Sequence, residues 1–126
     1  LALICDQKTV VPVDELAHCI RESLTYLTQY GAVCALHQEG KGSVRSCDAQ
    51  TAYDFFEDCL EAALPSLSAL MVRVECSERF SIRLMMEDAA GLPHVDKYRA
   101  LGKLTIDDAD GEQCVTLAFD RGGESA

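Results

Sequence analysis

The chain has 126 residues, which is enough for one compact domain and too few for two ordinary ones. Hydrophobic residues make up 48% of it, a composition typical of a folded domain rather than a disordered segment, and the absence of Trp indicates a mostly aliphatic core. The formal net charge of −10 argues against nucleic-acid binding, and no apolar run approaches the roughly 20 residues of a membrane-spanning helix, so we expect no direct membrane insertion of this domain.

The cysteines and the first residues indicate where the domain comes from. Seven cysteines are spread along the chain without a C-x-x-C pair, which predicts neither a disulfide framework nor a zinc site. Free Cys on apolar faces behaves as a small hydrophobe, so we expect a reducing, cytoplasmic compartment. The chain begins at Leu1 without a secretory signal pattern. We expect a single domain over 1–126, cut from a longer protein, with a frayed tail over 121–126.

The N-terminal part predicts a short strand followed by a helix. Val10, Val11 and Val13 favour the strand, in which Pro12 limits pairing. Asp14 is expected to cap the helix, and Gly31 marks its end. The apolar stripe that would face the core recurs at helical spacing: Leu16, Ile20, Leu24 and Leu27.

The middle of the chain predicts a strand and a second helix. Small and β-branched residues over 32–36 favour a strand that runs into a turn at 39–42, and a brief strand is possible around Val44. Asp48 is expected to cap a helix that continues to about Leu64, with Pro65 after its end. Its buried side is predicted to carry Ala52, Phe56, Cys59, Leu60 and Ala63.

The C-terminal part predicts two hairpins. Apolar and polar residues alternate over 70–76 and 80–86, with a turn at 77–78. A loop containing 91–93 leads to a second hairpin with its turn at 110–111, whose strands carry Leu104, Ile106, Val115, Leu117 and Phe119. Helices with one apolar stripe must cover a sheet with one apolar face. We therefore predict an α/β (α+β) fold: a two-layer sandwich whose mixed, mainly antiparallel sheet is covered on one face by helices.

The second helix carries four carboxylates about one turn apart: Asp54, Glu57, Asp58 and Glu61. Carboxylates at this spacing could hold a hard cation through their oxygens. The same pattern is typical of the solvated face of an amphipathic helix. The spacing alone leaves both interpretations open.

The order of elements resembles the ATP-binding domain of sensor histidine kinases, in the gyrase and histidine-kinase ATPase superfamily. The residues that carry the resemblance are 57–64, in the place of the family's E-x-x-x-N-A helix, and 70–74, in the place of its next strand. Residues 87–92 stand where the family has D-x-G-x-G, and 102–119 match its closing hairpin. The resemblance implies a histidine-kinase ATPase-like fold over nearly the whole chain.

The resemblance also implies roles for two residues of the acidic helix. Glu57 matches the family's catalytic Glu, which orders or polarises water near the nucleotide phosphates. Glu61 stands where the family has the Asn that carries magnesium, so it is the implied metal ligand and a nucleotide contact. A carboxylate can bind a hard cation, but it also places a negative charge near phosphate oxygens.

The remaining implied nucleotide contacts come from the two glycine boxes. Glu87 or Asp88 would replace the Asp that accepts a hydrogen bond from adenine, and Gly91 is the glycine retained in that box, since Ala89 replaces the other. The second box is reduced to Gly102, followed by Lys103. A single glycine does not make a phosphate cradle, and glycines flanked by turn residues serve more often as turns.

These residues predict the ATP-binding-like domain of a two-component sensor histidine kinase with weakened or lost nucleotide binding. Its cofactors would be ATP and Mg²⁺ if the site is functional and none otherwise. The implied partners are the kinase dimerisation helices, whose phosphoacceptor His would lie upstream of Leu1, and a response regulator. The alternatives are a non-catalytic protein-interaction module with the same sandwich, or an unrelated sandwich with a coincident element order. Side chains such as Leu92, Tyr98 or Leu101 filling the pocket beside the acidic helix would favour the interaction module.

Overall fold

The computed structural model describes residues 10–64, 66–88, 95–109 and 112–119. The expected tail over 121–126, the turn at 110–111, the loop at 91–93 and Pro65 lie outside the described residues. The elements are β1 (Val10–Pro12), α1 (Val13–Thr28), β2 (Val33–Gly40), β3 (Ser43–Arg45), α2 (Ser46–Ala63), β4 (Ala69–Cys76), β5 (Phe80–Glu87), a 3₁₀ helix (Asp96–Ala100), β6 (Lys103–Ala109) and β7 (Glu112–Phe119).

The main sheet has five strands in the order β2-β4-β5-β7-β6. β2 runs parallel to β4, and the other three pairings are antiparallel. The short strands β1 and β3 form a separate antiparallel pair. The two α-helices contribute buried side chains to one core with the sheet. The prediction of a two-layer sandwich with a mixed, mainly antiparallel sheet is confirmed.

The core is built from the apolar faces that the sequence pattern indicates. The α1 stripe is buried, and the residues of β4 and β5 that alternate into the core are at most 1% exposed. On α2 the buried face is wider than predicted, because Phe55 is buried beside Phe56, whereas Leu60 is only partly buried. Phe55 is shielded from solvent by Tyr98, whose ring packs edge-on against the Phe55 ring at a centroid distance of 5.4 Å. This contact fixes the 3₁₀ helix against α2.

The predicted caps are wrong at both helices. Pro12 and Arg45 hold the cap positions in extended conformation, with ψ of 139° and 140°, and neither makes a side-chain cap hydrogen bond. Asp14 and Asp48 lie in the first turns, where a carboxylate is still favourable beside the unpaired backbone N–H groups. Asp14 accepts a hydrogen bond from the Gln38 side-chain amide at 2.6 Å, and so ties α1 to β2.

The described cysteines are mostly thiols that pack as small apolar side chains. Cys19, Cys34, Cys59, Cys76 and Cys114 are thiols. Burial raises the pKa of the Cys59 thiol to about 12, so it stays protonated at neutral pH. Cys47, by contrast, is disulfide-bonded.

Across the described ranges, no helix combines the length and the apolar character needed to cross a membrane.

Candidate functional site

The carboxylates of α2 line a cavity of about 480 Å³ on the side of the helix away from its buried phenylalanines. Helical geometry places residues three or four apart on one face, so Asp54, Glu57, Asp58 and Glu61 all reach this space. We call it the acidic cavity. Its other lining residues are Leu60, Leu64, Lys97 and Tyr98.

Tyr98 enters the acidic cavity from the 3₁₀ helix and is only 4% exposed. Its hydroxyl donates a hydrogen bond to Asp58 Oδ2 at 2.6 Å, and Lys97 Nζ lies 3.1 Å from the same oxygen. Burial, and then the hydrogen bond to the Asp58 carboxylate, raise the pKa of the Tyr98 phenol well above its ordinary value. The phenol therefore remains a donor, and the Asp58 charge is compensated from two sides.

The other three carboxylates of the acidic cavity have weaker compensation. Asp54 accepts a hydrogen bond from the Gln50 amide at 3.0 Å, one turn earlier on the same helix. Glu57 and Glu61 face the same cavity, and Lys97, the one basic residue among its described lining residues, is paired with Asp58. Glu61 also lies in the last turn of α2, where the carbonyl end of the helix disfavours a negative charge. The cavity therefore repels anions.

The described residues contain no group of three or more His, Cys, Asp or Glu side chains placed to hold a metal ion together. The α2 carboxylates follow one another along the helix surface, and such a row does not converge on one point. The role of Glu61 as a metal ligand stays a prediction.

Glu87 and Asp88 lie at the end of β5 and do not line the acidic cavity. Glu87 borders a smaller, mostly apolar cavity of about 250 Å³ with Met71 and Met85. Asp88 adopts a φ of 58°, and its carboxylate accepts a hydrogen bond from the Ser68 hydroxyl at 2.7 Å. This partner holds the Asp88 side chain at the start of β4.

Gly102 and Lys103 lie at a third cavity, of about 540 Å³, at the beginning of β6. A Cβ at Gly102 would come within 2.7 Å of the Ala118 carbonyl oxygen, so the glycine permits β6 to approach β7 closely. Its N–H donates to the Tyr98 carbonyl at 3.0 Å, which closes the 3₁₀ helix. Gly91 lies outside the described residues.

The structure therefore divides the predicted site residues among three places. Glu57 and Glu61 share the acidic cavity, and Gly102 and Lys103 share the third cavity. Sequence reasoning missed the ion pair between Lys97 and Asp58 and the hydrogen bond that joins Tyr98 to Asp58 across 40 positions. Periodicity within one helix carries no signal for either contact, because both partners come from a separate turn of chain after β5.

Neither protein-family models nor curated protein sequences match the chain. Solved structures do match it. The catalytic domain of the histidine kinase ThkA has a TM-score of 0.64 at 8% identity, with 90% of this chain and 95% of that chain covered. A mycobacterial sensor histidine kinase, MprB, has a TM-score of 0.61 at 12% identity, with 88% of this chain and 95% of that chain covered. The Acinetobacter baumannii histidine kinase AdeS has a TM-score of 0.62 at 10% identity, with 89% of this chain and 66% of that chain covered. The chain has the fold of histidine-kinase catalytic domains.

Proposed function

We propose that the chain is the ATP-binding-like domain of a two-component sensor histidine kinase in which nucleotide binding is weakened or lost. The fold supports the family, and the acidic cavity supports the loss. The single observation that carries the proposal is the Tyr98 hydroxyl bound to Asp58 inside that cavity. Tyr98, held between the 3₁₀ helix and α2, takes up space that a nucleotide in the implied site would need.

The residues of the acidic cavity do not fit magnesium ATP. A triphosphate brings several negative charges to a surface that already presents Glu57, Glu61 and Asp54. Lys97, the basic residue within reach, compensates Asp58 instead. Glu61 replaces the amide that the resembled motif uses beside the metal, and the described glycine of the second box packs against β7. We therefore assign no phosphoryl-transfer step to this domain.

The proposal extends to the protein that would contain this domain. A sensor histidine kinase parent would hold the domain in the cytoplasm, next to dimerisation helices that carry the phosphoacceptor His. Its further partner would be a response regulator that receives the phosphoryl group.

The experiment is an isothermal titration of the chain with ATP in excess magnesium. We expect binding no tighter than about 1 mM, equivalent to roughly 4 kcal/mol of binding free energy. Glu61→Asn restores the amide and removes one negative charge, so it is expected to tighten binding. Glu15→Asn removes the same charge from α1, away from the acidic cavity, and should leave binding unchanged. Micromolar binding by the unmodified chain would contradict the loss of nucleotide binding.

A second candidate function is a non-catalytic interaction module that keeps the sandwich. The groove between α1 and α2 favours it, since Tyr26, Tyr53, Leu60 and Leu64 line this cavity of about 540 Å³. Tyr26 is 60% exposed and Leu64 is 40% exposed, which is unusual for side chains of this size at one groove. Of the side chains expected to fill the pocket in an interaction module, Tyr98 does enter the acidic cavity, which also favours the module, whereas Leu101 is exposed. If Glu61→Asn binds ATP no better than the unmodified chain, the interaction module becomes the better assignment.

A further inference from the structure

The third cavity, at the beginning of β6, is lined by four basic side chains: Arg45, Arg79, Arg99 and Lys103. We call it the basic cavity. The four basic side chains come from separate parts of the chain: the cap position of α2, the β4–β5 turn, the 3₁₀ helix and the first residue of β6. Nine Lys and Arg residues lie in the described ranges, so nearly half of them meet at one cavity in a chain of net charge −10.

The acidic groups near the basic cavity compensate only part of this charge. Asp48 is the one carboxylate among the lining residues that the structure describes. Arg99 Nε lies 3.2 Å from Asp96 Oδ1. Both side chains are exposed, so this ion pair is weak and another anion can replace Asp96 as the partner of Arg99. Arg45 and Asp48 each take part in further interactions, so Arg79 and Lys103 are the cations that we assign to a ligand. Within the described part of the lining, four positive charges stand against one negative charge.

One side of the basic cavity is closely packed, which favours a defined ligand geometry. Phe119 is 3% exposed and its ring stacks on Phe80 at a centroid distance of 5.2 Å. Gly102 is held against the Ala118 carbonyl of β7. Ligand sites of small molecules typically enclose about 300 to 1,000 Å³, and this cavity encloses about 540 Å³. It is also separate from the acidic cavity, with no lining residue in common.

We propose that the basic cavity binds a phosphate-bearing anion through Arg79 and Lys103, with Arg99 and Arg45 completing the positive wall. The planar guanidinium donates two parallel N–H groups to phosphate oxygens, and the Lys ammonium adds a compact charge. The overall charge of the chain repels anions, so binding depends on this local cluster and weakens as salt is added. The basic cavity includes Gly102 and Lys103 of the implied second glycine box, but it lies at the opposite end of α2 from the acidic cavity, so the inference does not rest on the loss of nucleotide binding there.

The test uses inorganic pyrophosphate, titrated into the chain at physiological ionic strength and followed by amide chemical shifts. We expect saturable shifts confined to the β4–β5 turn and the first residues of β6. Arg79→Gln combined with Lys103→Gln is expected to weaken binding by about tenfold or more, because two charged hydrogen bonds are lost. Arg21→Gln combined with Lys41→Gln removes the same two side-chain types from α1 and the β2–β3 turn, and should leave binding unchanged.

Two results would overturn the proposal: equal weakening in both double variants, or shifts that never saturate. The same spectra report whether each variant is folded, so a loss of binding in an unfolded variant is recognised at once. ATP without magnesium and vesicles of anionic phospholipid then distinguish a soluble phosphate ester from a lipid headgroup. Whichever binds must be lost with Arg79→Gln and Lys103→Gln and be unaffected by Glu61→Asn, which separates this site from the acidic cavity.

Discussion

Gly40 shows most clearly how a single residue limits what this fold can tolerate. It ends β2 with a φ of 77°, a conformation that side chains other than Gly rarely adopt. Its register partner is Cys76 of β4, and a Cβ at Gly40 would lie only 2.0 Å from the Cys76 carbonyl oxygen. Two independent requirements, dihedral angle and space, thus coincide at the end of the parallel strand pair.

Gly40→Ala is therefore expected to destabilise the chain by roughly 3 kcal/mol or more, since the strain of a left-handed residue adds to a clash between backbone and Cβ. Gly31→Ala is the matched control. Gly31 has a φ of 95°, but a Cβ at this position would meet nothing within 4 Å, so only the conformational strain of about 1 to 2 kcal/mol applies. Urea denaturation of both variants measures the difference, and equal losses would show that the close approach to Cys76 is relieved elsewhere.

At the level of elements, the packing of the 3₁₀ helix on α2 decides the shape of the candidate site. Tyr98 contributes an aromatic contact with Phe55 and a hydrogen bond to Asp58. Its carbonyl also accepts hydrogen bonds from the N–H groups of Leu101 and Gly102, at 2.9 Å and 3.0 Å. One residue thus connects the acidic cavity, the 3₁₀ helix and the start of β6.

Tyr98→Phe keeps the ring and removes the hydrogen bond, which leaves Asp58 with Lys97 alone. We expect a loss of about 1.5 to 3 kcal/mol, the usual range for a hydrogen bond to a charged group. Tyr53→Phe removes a neutral hydrogen bond to the Ser23 hydroxyl, at 3.1 Å, and should cost only about 0.5 to 1.5 kcal/mol. Amide exchange at Leu101 and Gly102 should accelerate in Tyr98→Phe and not in Tyr53→Phe. Unchanged exchange in both variants would mean that the ring contact alone holds the 3₁₀ helix.

The sequence predicts these elements well wherever one periodicity dominates. The Leu16 to Leu27 stripe and the alternation of β4 and β5 are confirmed, because each pattern follows from one buried face. The predicted helix starts are wrong, since extended backbone at Pro12 and Arg45 takes the cap positions without side-chain capping. The spacing of the α2 carboxylates predicts their shared face. Their partner Tyr98 could be named only as a possible filler, because contacts between distant segments depend on tertiary packing.

For the whole molecule, the distribution of charge is the dominant property. The acidic cavity and the basic cavity lie along α2, with Glu61 in its last turn and Asp48 in its first turn. Across the whole chain 21 acidic residues face 11 basic ones. A compact state with this excess repels itself, and dissolved salt screens that repulsion.

We expect sodium chloride to raise the melting temperature between low and physiological ionic strength. For a domain of this size, 1 kcal/mol corresponds to roughly 4 °C. Glu15→Gln combined with Glu78→Gln removes two exposed negative charges and takes the net charge from −10 to −8. The melting temperature of this double variant should therefore rise less with salt. Thermal denaturation at several salt concentrations checks both statements. A melting temperature that falls with salt would show that attractive ion pairs outweigh the excess charge.

The parallel pairing of β2 with β4 also sets an order of assembly. The hairpin β4–β5 closes across three residues, whereas β2 meets β4 only after the whole of α2 has been accommodated between Gly40 and Ala69. Contacts that enclose a long loop form late, because the entropy of closing the loop is lost before the contacts compensate it. We expect β2 to join the sheet after the hairpins have formed. Until then β4 presents an unpaired edge, so the folding chain passes through its most aggregation-prone state just before the sheet is complete.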